Sequence, residues 1–507
     1  MIQLLVVAIV ATTSTTYAQY AGDAIRFGNT NYGSTSRFKG MGGAQIGVGG
    51  DMSSLGANPA GLGLFTRSEF SFTPEFNNIT SKSDFLGQNT KSSQDKMNIN
   101  HAGIVWYSPS LKVRGEDTKR GLVSTVFGIG YNRNNDYNQR YTYDGTNNSN
   151  SMRDYFAELA NSSKDPSGVI PAKSLEDMAF SGYLINFNSP GNANLYSVDE
   201  SGANIPNRQT KTETTVGSTS EVNFSGAFNI SNQFYIGASI GIVNLRYLSD
   251  AEYIEKGVVN PYDPTDGYTG IENYSLSFRQ SQETKGSGFN GRLGVIFRPV
   301  ENFRIGATLQ TPTWLYVDDS YSEVLNNTLS GKTPYSTNNQ ANSDDFSYRL
   351  KTPMKGSLGA SYVIAGQAII SADVDFIDYA TTRFSADQGI DGPVIKSNNN
   401  DIKDLYSSAI NYRIGGEYKV NQLSLRAGYG VTGSPMKEEI DPDKIYARKY
   451  ISGGLGYRIK EYYFDLAYQR VSSENRLSSY VLANGGEPRA IVKNANNNVF
   501  LTFGLRF

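Results

Sequence analysis

Cysteine is absent from the 507 residues, and histidine occurs once, at His101. Without cysteine there is no disulfide framework, no thiolate metal site and no thiol nucleophile. A single imidazole excludes a histidine-rich metal centre. A Ser-His pair built on His101 would need a strand-borne serine beside it, and no motif supplies one, so a hydrolase is not expected. Long apolar runs are missing too: beyond the N-terminus nothing approaches the roughly 20 residues of a transmembrane helix. Mean hydropathy is −0.42. The net charge of −2 gives no pull toward nucleic acid.

What the chain has is glycine, 52 residues, with 34 Tyr and 25 Phe. The apolar residues fall into segments of period 2. At the C-terminus Val499, Leu501, Phe503, Leu505 and Phe507 alternate with Phe500, Thr502, Gly504 and Arg506. That is a strand with one apolar face. It fits the last strand of a soluble sandwich, or the closing strand of an outer-membrane barrel whose terminal aromatic sits at the water interface. Rows such as Phe70, Phe72, Pro74 and Phe76, or Phe234, Ile236, Ala238, Ile240 and Ile242, repeat the pattern. The opposite faces are polar: Asn411, Arg413, Glu417 and Lys419 in one segment, Ser371, Asp373 and Asp375 in another, Ser424 and Arg426 in a third. Lipid cannot solvate such groups, so in a membrane they must face a lumen, where they either brace it or line a path.

Connection lengths separate the two folds. Short links near 231–233, 299–302, 365–366, 420–421 and 459–461 alternate with long ones near 80–97, 146–211, 251–268, 319–342, 383–403, 434–443 and 476–492. A moderate link near 109–118 takes a short slot. Turns on one side and loops on the other mark a membrane barrel. The predicted fold class is therefore all-β: a transmembrane antiparallel β-barrel of about 14 strands over residues 66–507. The even count needs one strand running through Gly286 and Gly288. It needs another running past Pro353, which then sits at a bend or bulge. The long loops read as solvated, Asn326-Asn327 and Asn398-Asn399-Asn400 being typical. The largest, 146–211, differs, with helical spacing around 154–160 and 175–179. Phe156, Leu159, Met178 and Phe180 there either line a ligand mouth or pack the loop.

Leu4 to Ala11 is a short apolar core, and Thr16-Tyr17-Ala18 offers small residues for a cut before Gln19. No basic residue follows Met1, as one usually does. Residues 1–18 are expected to be a signal peptide, and export without a retained helix leaves the periplasm, the surface or the outer membrane. Residues 19–65 do not alternate. They are rich in glycine, which permits tight turns, and they read as a plug inside the lumen or as a periplasmic tail. No GK[ST] or GxGxxG follows a strand here, so a phosphate loop is not indicated.

Gly40-Met41-Gly42-Gly43-Ala44, then Asp51, then Asn58-Pro59-Ala60-Gly61-Leu62 stand just ahead of the first strand. This segment resembles the N-terminal hatch of the FadL/TodX outer-membrane transporters. Pro353 ahead of a Gly-rich strand is similar to that family as well. The resemblance implies a fourteen-stranded barrel with Asp51, Asn58, Pro59, Ala60 and Gly61 as hatch residues. It implies passive uptake of hydrophobic small molecules such as long-chain fatty acids. Ligand would enter from outside, the hatch would rearrange, and the molecule would leave sideways through a gap in the wall. No cofactor and no metal are expected; for haem, His101 is the only imidazole ligand. The expected partners are a hydrophobic small molecule, outer-membrane lipid and the barrel-assembly machinery, with Phe507 as assembly signal. The alternative is a FadL-like barrel serving as scaffold for envelope proteins in a secretion or assembly machine. A plain porin is disfavoured, because residues 20–65 would obstruct it.

Overall fold

Alternation of apolar and polar residues becomes a closed barrel of fourteen antiparallel strands. The computed structural model describes residues 19–29, 33–112, 117, 119–188, 193–198, 206–260, 262–263, 267–268, 270–330, 332–337 and 342–507. The expected signal peptide at 1–18 lies outside the described residues. The first strands are β1 (Glu69–Phe85), β2 (Gln88–Pro109) and β3 (Leu122–Asp136, resuming as Gln139–Asn147). Then come β4 (Asn207–Ile230), β5 (Phe234–Val259) and β6 (Glu272–Val300). Three interrupted strands follow: β7 (Phe303–Gln310, then Trp314–Leu329), β8 (Asn342–Lys351, then Lys355–Ile364) and β9 (Ala368–Asp378, then Arg383–Ala386). The last five are β10 (Ser408–Val420), β11 (Leu423–Thr432), β12 (Arg448–Ile459), β13 (Tyr462–Leu477) and β14 (Ala490–Arg506).

Strand β14 returns to β1, with Phe72 opposite Phe503 and Glu69 opposite Arg506. The Phe507 N–H donates to the Ser68 carbonyl at 3.0 Å, and Arg506 Nε to Glu69 Oε2 at 2.7 Å. Both expected merges hold. Strand β6 runs unbroken through Gly286 and Gly288. Pro353 marks a bend, because β8 stops at Lys351 and resumes at Lys355. The short turns use left-handed residues, Ser231 at φ 56° and Asn232 at φ 55° among them, which suits the twist of tight hairpins.

Outward residues such as Phe76, Ile240, Ile242, Phe289 and Leu501 stay exposed. They form the lipid belt that a barrel requires. Along the same outer faces Asn78, Asn244, Lys285 and Asp318 follow, all exposed. The sheet therefore leaves the hydrocarbon there and continues into water. Strand β5 has 26 residues and β6 has 29, where about 9–11 suffice to cross a bilayer. This corrects the loops expected near 80–97, 251–268 and 319–342. Much of each is strand, and its polarity marks departure from lipid rather than irregular backbone.

Two asparagine-rich loops are corrected as well. Asn327 lies in β7, buried, and donates to the Gly182 carbonyl at 2.7 Å. Asn398 and Asn399 lie buried in a helix, Pro393–Leu405. Asn399 accepts the Phe384 N–H at 2.8 Å and donates to the Phe384 carbonyl at 2.9 Å. Of the polar faces read from sequence, Arg413 and Glu417 are buried in the lumen, whereas Lys419, at the strand end, is exposed.

Hatch, chamber and wall window

The N-terminal segment lies inside the barrel. It begins with α1 (Gln19–Gly28) and continues through α2 (Ser36–Gly40) and two 3₁₀ turns, Met52–Leu55 and Pro59–Leu64. Inward polar groups grip it. Ser36 N–H donates to Thr502 Oγ1 at 2.8 Å. Arg37 holds Glu417 with two hydrogen bonds of 3.0 Å, and Arg426 reaches the same carboxylate at 2.7 Å. Asp373 Oδ2 accepts the N–H groups of Gln45 and Ile46 at 2.6 and 3.0 Å. Charge-assisted bonds of this kind are stronger than neutral ones.

Glycines on the inner wall let the two backbones meet. A Cβ on Gly415 or Gly428 would overlap Met41 and Gly42. One on Gly306 would overlap Ile46, and one on Gly237 or Gly294 would overlap Asn58 and Pro59. Glycine inside a strand often marks such a close approach. These residues were legible as inward by parity, since Gly415 shares a face with Arg413 and Glu417.

The hatch residues named from sequence have local roles. Asp51 caps the first 3₁₀ turn, accepting Ser53 N–H at 2.9 Å and Thr35 Oγ1 at 2.8 Å. Asn58 caps the second: its Oδ1 accepts Ala60 N–H at 3.1 Å. Its Nδ2 donates to the Ile46 carbonyl at 2.8 Å and to Val295 of the wall at 3.3 Å. Pro59 opens that turn, where its missing N–H costs nothing. Gly61 accepts from Gly50 N–H at 2.9 Å, and a side chain there would strike Ser54 and Gly49.

Beside the hatch the wall comes apart. Strands β2 and β3 pair only from His101–Asn132 to Pro109–Ser124. Beyond that point β2 pairs with β1 alone and β3 with β4 alone. Side chains bridge the gap: Asn98 of β2 and Asn77 of β1 both donate to Asp136 Oδ2 at 3.1 Å, and Thr90 Oγ1 of β2 donates to the Thr142 carbonyl of β3. Phe76, Met97 and Ile99 flank the lower part of the opening on the outside, 56%, 69% and 47% exposed, which sets its lower edge at bilayer depth. Above it Phe85 packs on Tyr143 with ring centroids 4.7 Å apart. The opening is thus a bounded window.

His101 stands at its lower corner. Its Nδ1 lies 2.8 Å from Asn132 Oδ1 and its Nε2 lies 3.2 Å from Ser71 Oγ. The serine that sequence could not supply comes from a neighbouring strand. All three side chains are at most 1% exposed, so the trio clasps β1, β2 and β3 rather than presenting a nucleophile. Both ring nitrogens are engaged, and neither is offered to iron.

Behind the window is a polar cavity of about 200 Å³. It is lined by Arg26 of α1, Lys39 and Gln45 of the hatch, Asp136 of the window edge, and Arg448 and Tyr450 of β12. Burial lowers the Lys39 pKa from the usual lysine value, opposed by the nearby Glu75 carboxylate. On the other side α1 buries Ala21, Ala24 and Phe27 against Val243, Leu245, Tyr247, Leu315 and Tyr348.

The residues expected at the mouth sit in the 146–211 insert, on α3 (Met152–Ser163) and α4 (Leu175–Ser181). Phe156 and Met178 are in a packed apolar cluster with Leu276, Phe278 and Leu325 of the wall, and Leu159 packs against it half-buried. Phe180 is 41% exposed, edge-on to Tyr196 at 5.5 Å.

Residues 29–479 match the family described as outer membrane protein transport protein (OMPP1/FadL/TodX). The chain belongs to that family. Its place is the outer membrane, and members of the family are transport proteins. Similar solved structures include the P. putida toluene transporter TodX, 15% identical, covering 94% of this chain and 99% of that one with a TM-score of 0.52. A Pseudomonas aeruginosa FadL homologue is likewise 15% identical, covering 94% and 98%, with a TM-score of 0.52. At such identity the likeness is one of fold. No curated protein matches in sequence.

Proposed function

We propose that this barrel takes up hydrophobic small molecules, long-chain fatty acids or solutes of similar character, passively and with sideways release into lipid. In this reading residues 1–18 direct export, 19–65 form the hatch and 66–507 the barrel. Solute enters at the extracellular mouth, where Phe180 and its neighbours receive it. The N-terminal segment then shifts, and the molecule leaves between β2 and β3.

The window carries the reading. Unpaired strand edges are costly at bilayer depth, so an opening kept there favours a use for it. A straight descent is blocked by the hatch and its ion pairs. A polar lumen also disfavours an acyl chain by about 0.8 kcal/mol per CH₂, a cost that lateral exit avoids.

A cysteine-free chain makes the test clean. Cysteines at Asn98 and Asp136 would be closed by a short thiol cross-linker in cells taking up labelled fatty acid. Uptake should stop on cross-linking and return when a reducible linker is cleaved. Undiminished uptake through the closed window would sink lateral exit. A second reading, docking of an envelope protein, is favoured by one observation: Val169, Tyr183 and Leu195 of the insert are 62%, 51% and 45% exposed.

A further inference from the structure

We propose that the periplasmic mouth of the barrel docks an acidic, extended segment of a periplasmic protein, held by Arg304, Lys419 and Arg458. The site lies at the opposite end of the barrel from the extracellular loops. It stands whether or not solute leaves through the window.

The first observation is a concentration of one charge. The chain as a whole carries −2. Where the strands reach the short turns, however, inward positions are cations: Arg304 of β7, Lys419 of β10, Arg458 of β12 and Arg506 of β14. Arg37 joins them from the hatch. It repels Arg304, Lys419 and Arg458, and Arg506 repels Arg458 as well.

The second is a shortage of counter-charge. Arg506 has Glu69 at 2.7 Å. A single carboxylate, Glu417, serves Arg37, Arg426 and Lys419, the last at 3.6 Å. Among the described residues Arg304 and Arg458 have no carboxylate at ion-pair distance. Arg304 donates through Nη1 to the Val48 carbonyl at 2.7 Å, while its buried Nε has no partner. Arg458 rests over the Tyr463 ring, 5.9 Å from the centroid. Glu301 and Glu461 stand on the neighbouring turns, exposed, and pair with none of these cations. Like charges gathered this way repel one another, and an anionic partner relieves them.

The third is direction and spread. Each of the three cations lies between two outward apolar residues: Phe303 and Ile305, Tyr418 and Val420, Tyr457 and Ile459. Alternation turns the charge toward the lumen and away from the lipid headgroups. From β7 to β12 there are five strand spacings, roughly 24 Å of wall at about 4.8 Å each. A phosphate ion meets one or two of these cations. A segment with several Asp or Glu residues meets all three, and basic clusters are a recurring way of reading acidic motifs.

The test uses the full chain in nanodiscs of zwitterionic lipid. Fluorescein-labelled hexaglutamate and hexaglutamine are titrated and followed by fluorescence anisotropy. Hexaglutamate should bind, and hexaglutamine at least about tenfold more weakly. Salt should weaken the complex as the screening length falls from about 10 Å at 0.1 M to about 3 Å at 1 M. Combining Arg304→Gln, Lys419→Gln and Arg458→Gln should cost about tenfold in affinity. Lys332→Gln with Lys444→Gln, in the extracellular loops, should cost nothing.

Equal affinity of the triple variant and the parent overturns the proposal, as does failure of hexaglutamate to bind or an equal loss in the extracellular variant. Displacement of the peptide by equimolar phosphate would make this a small-anion site and overturn it too. Phosphatidylglycerol retained by the parent and lost from the triple variant in native mass spectrometry, without peptide binding, would give the mouth to lipid instead. Circular dichroism establishes folding. If the triple variant does not fold, Arg458→Gln alone decides, since that side chain is exposed: a loss of about twofold supports docking and unchanged affinity ends it. Uptake through a closed or open window has no bearing on these titrations, so the two readings fail separately.

Discussion

The barrel wall is interrupted twice, and the two places are built differently. Across β7, β8 and β9 the regular ladder stops at 311–313, 352–354 and 379–382. Backbone groups there still find partners. Thr313 N–H donates to Thr352 Oγ1 at 2.8 Å, and Thr352 N–H returns to the Thr313 carbonyl at 3.0 Å. Gly291 N–H donates to Thr311 Oγ1 at 2.9 Å, and Thr311 N–H to the Gly291 carbonyl at 2.9 Å. Between β2 and β3 beyond His101 no backbone ladder runs: Asn98 of β2, with Asn77 of β1, donates to the Asp136 carboxylate, and higher up Thr90 Oγ1 donates to the Thr142 carbonyl. The first break is a stitched bend forced by Pro312 and Pro353, which cannot donate to a ladder. The second can open by rotating side chains, with no main-chain bond to break. Helix α1 lies between them. Tyr137 packs on Phe27 at 5.9 Å on the window side, and Gly28 approaches Pro353 on the other.

The largest effect is expected at a third joint, the fully laddered β14–β1 seam. Deleting Phe507 removes the last tie, to Ser68, and the terminal aromatic. Little folded barrel should reach the membrane, read as loss of outer-membrane protein on fractionation, while any that arrives takes up solute normally. Next comes the stitched bend. Thr352→Val deprives the buried Thr313 N–H of its acceptor and should cost about 1–3 kcal/mol in denaturant unfolding, leaving uptake unchanged. The window should behave in reverse. Asp136→Ala removes the acceptor of both asparagines at a partly exposed site, so stability should fall by less than about 1 kcal/mol. Solute entry should rise, measured as initial uptake rate; a rate equal to that of the parent would mean that the latch does not gate.

The smallest effect concerns pH. Burial raises the Asp23 pKa above the usual carboxylate value, with Arg26 and Gln282 only partly offsetting it. Docked α1 therefore holds its proton more tightly than an undocked one would. Its docking is strongest below the ordinary aspartate value of about 3.9 and weakens as pH rises through the raised value. A spin label on α1 should report growing mobility with rising pH, and Asp23→Asn should abolish the trend.

Much of this was legible from sequence, because a barrel writes its inside and outside into alternate residues. Phe72 and Phe503 fall opposite each other as their shared face requires, and Gly286 and Gly288 do not break β6. The hatch turns were legible from Asn58-Pro59, whose capping chemistry is local. The window was not. Asn77, Asn98 and Asp136 look like ordinary polar positions, and their meeting depends on a strand losing its partner, which is a long-range event. One signal was present: across Asn132, Arg133, Asn134, Asn135 and Asp136 both faces of the strand turn polar at once. The long extracellular strands were missed for a related reason. Outside lipid, a strand has no apolar outer face to announce it.

Those strands have a consequence for how far a solute must travel. From Asn244 to Val259 the outer face of β5 stands beyond the belt. At about 3.3 Å per residue these positions reach roughly 50 Å along the strand, or nearer 40 Å in height at a barrel tilt. The entrance is thus a chimney rising clear of the membrane surface. A greasy molecule captured at its rim need never dissolve in the charged headgroup layer, because the wall shields it down to the depth at which lipid begins.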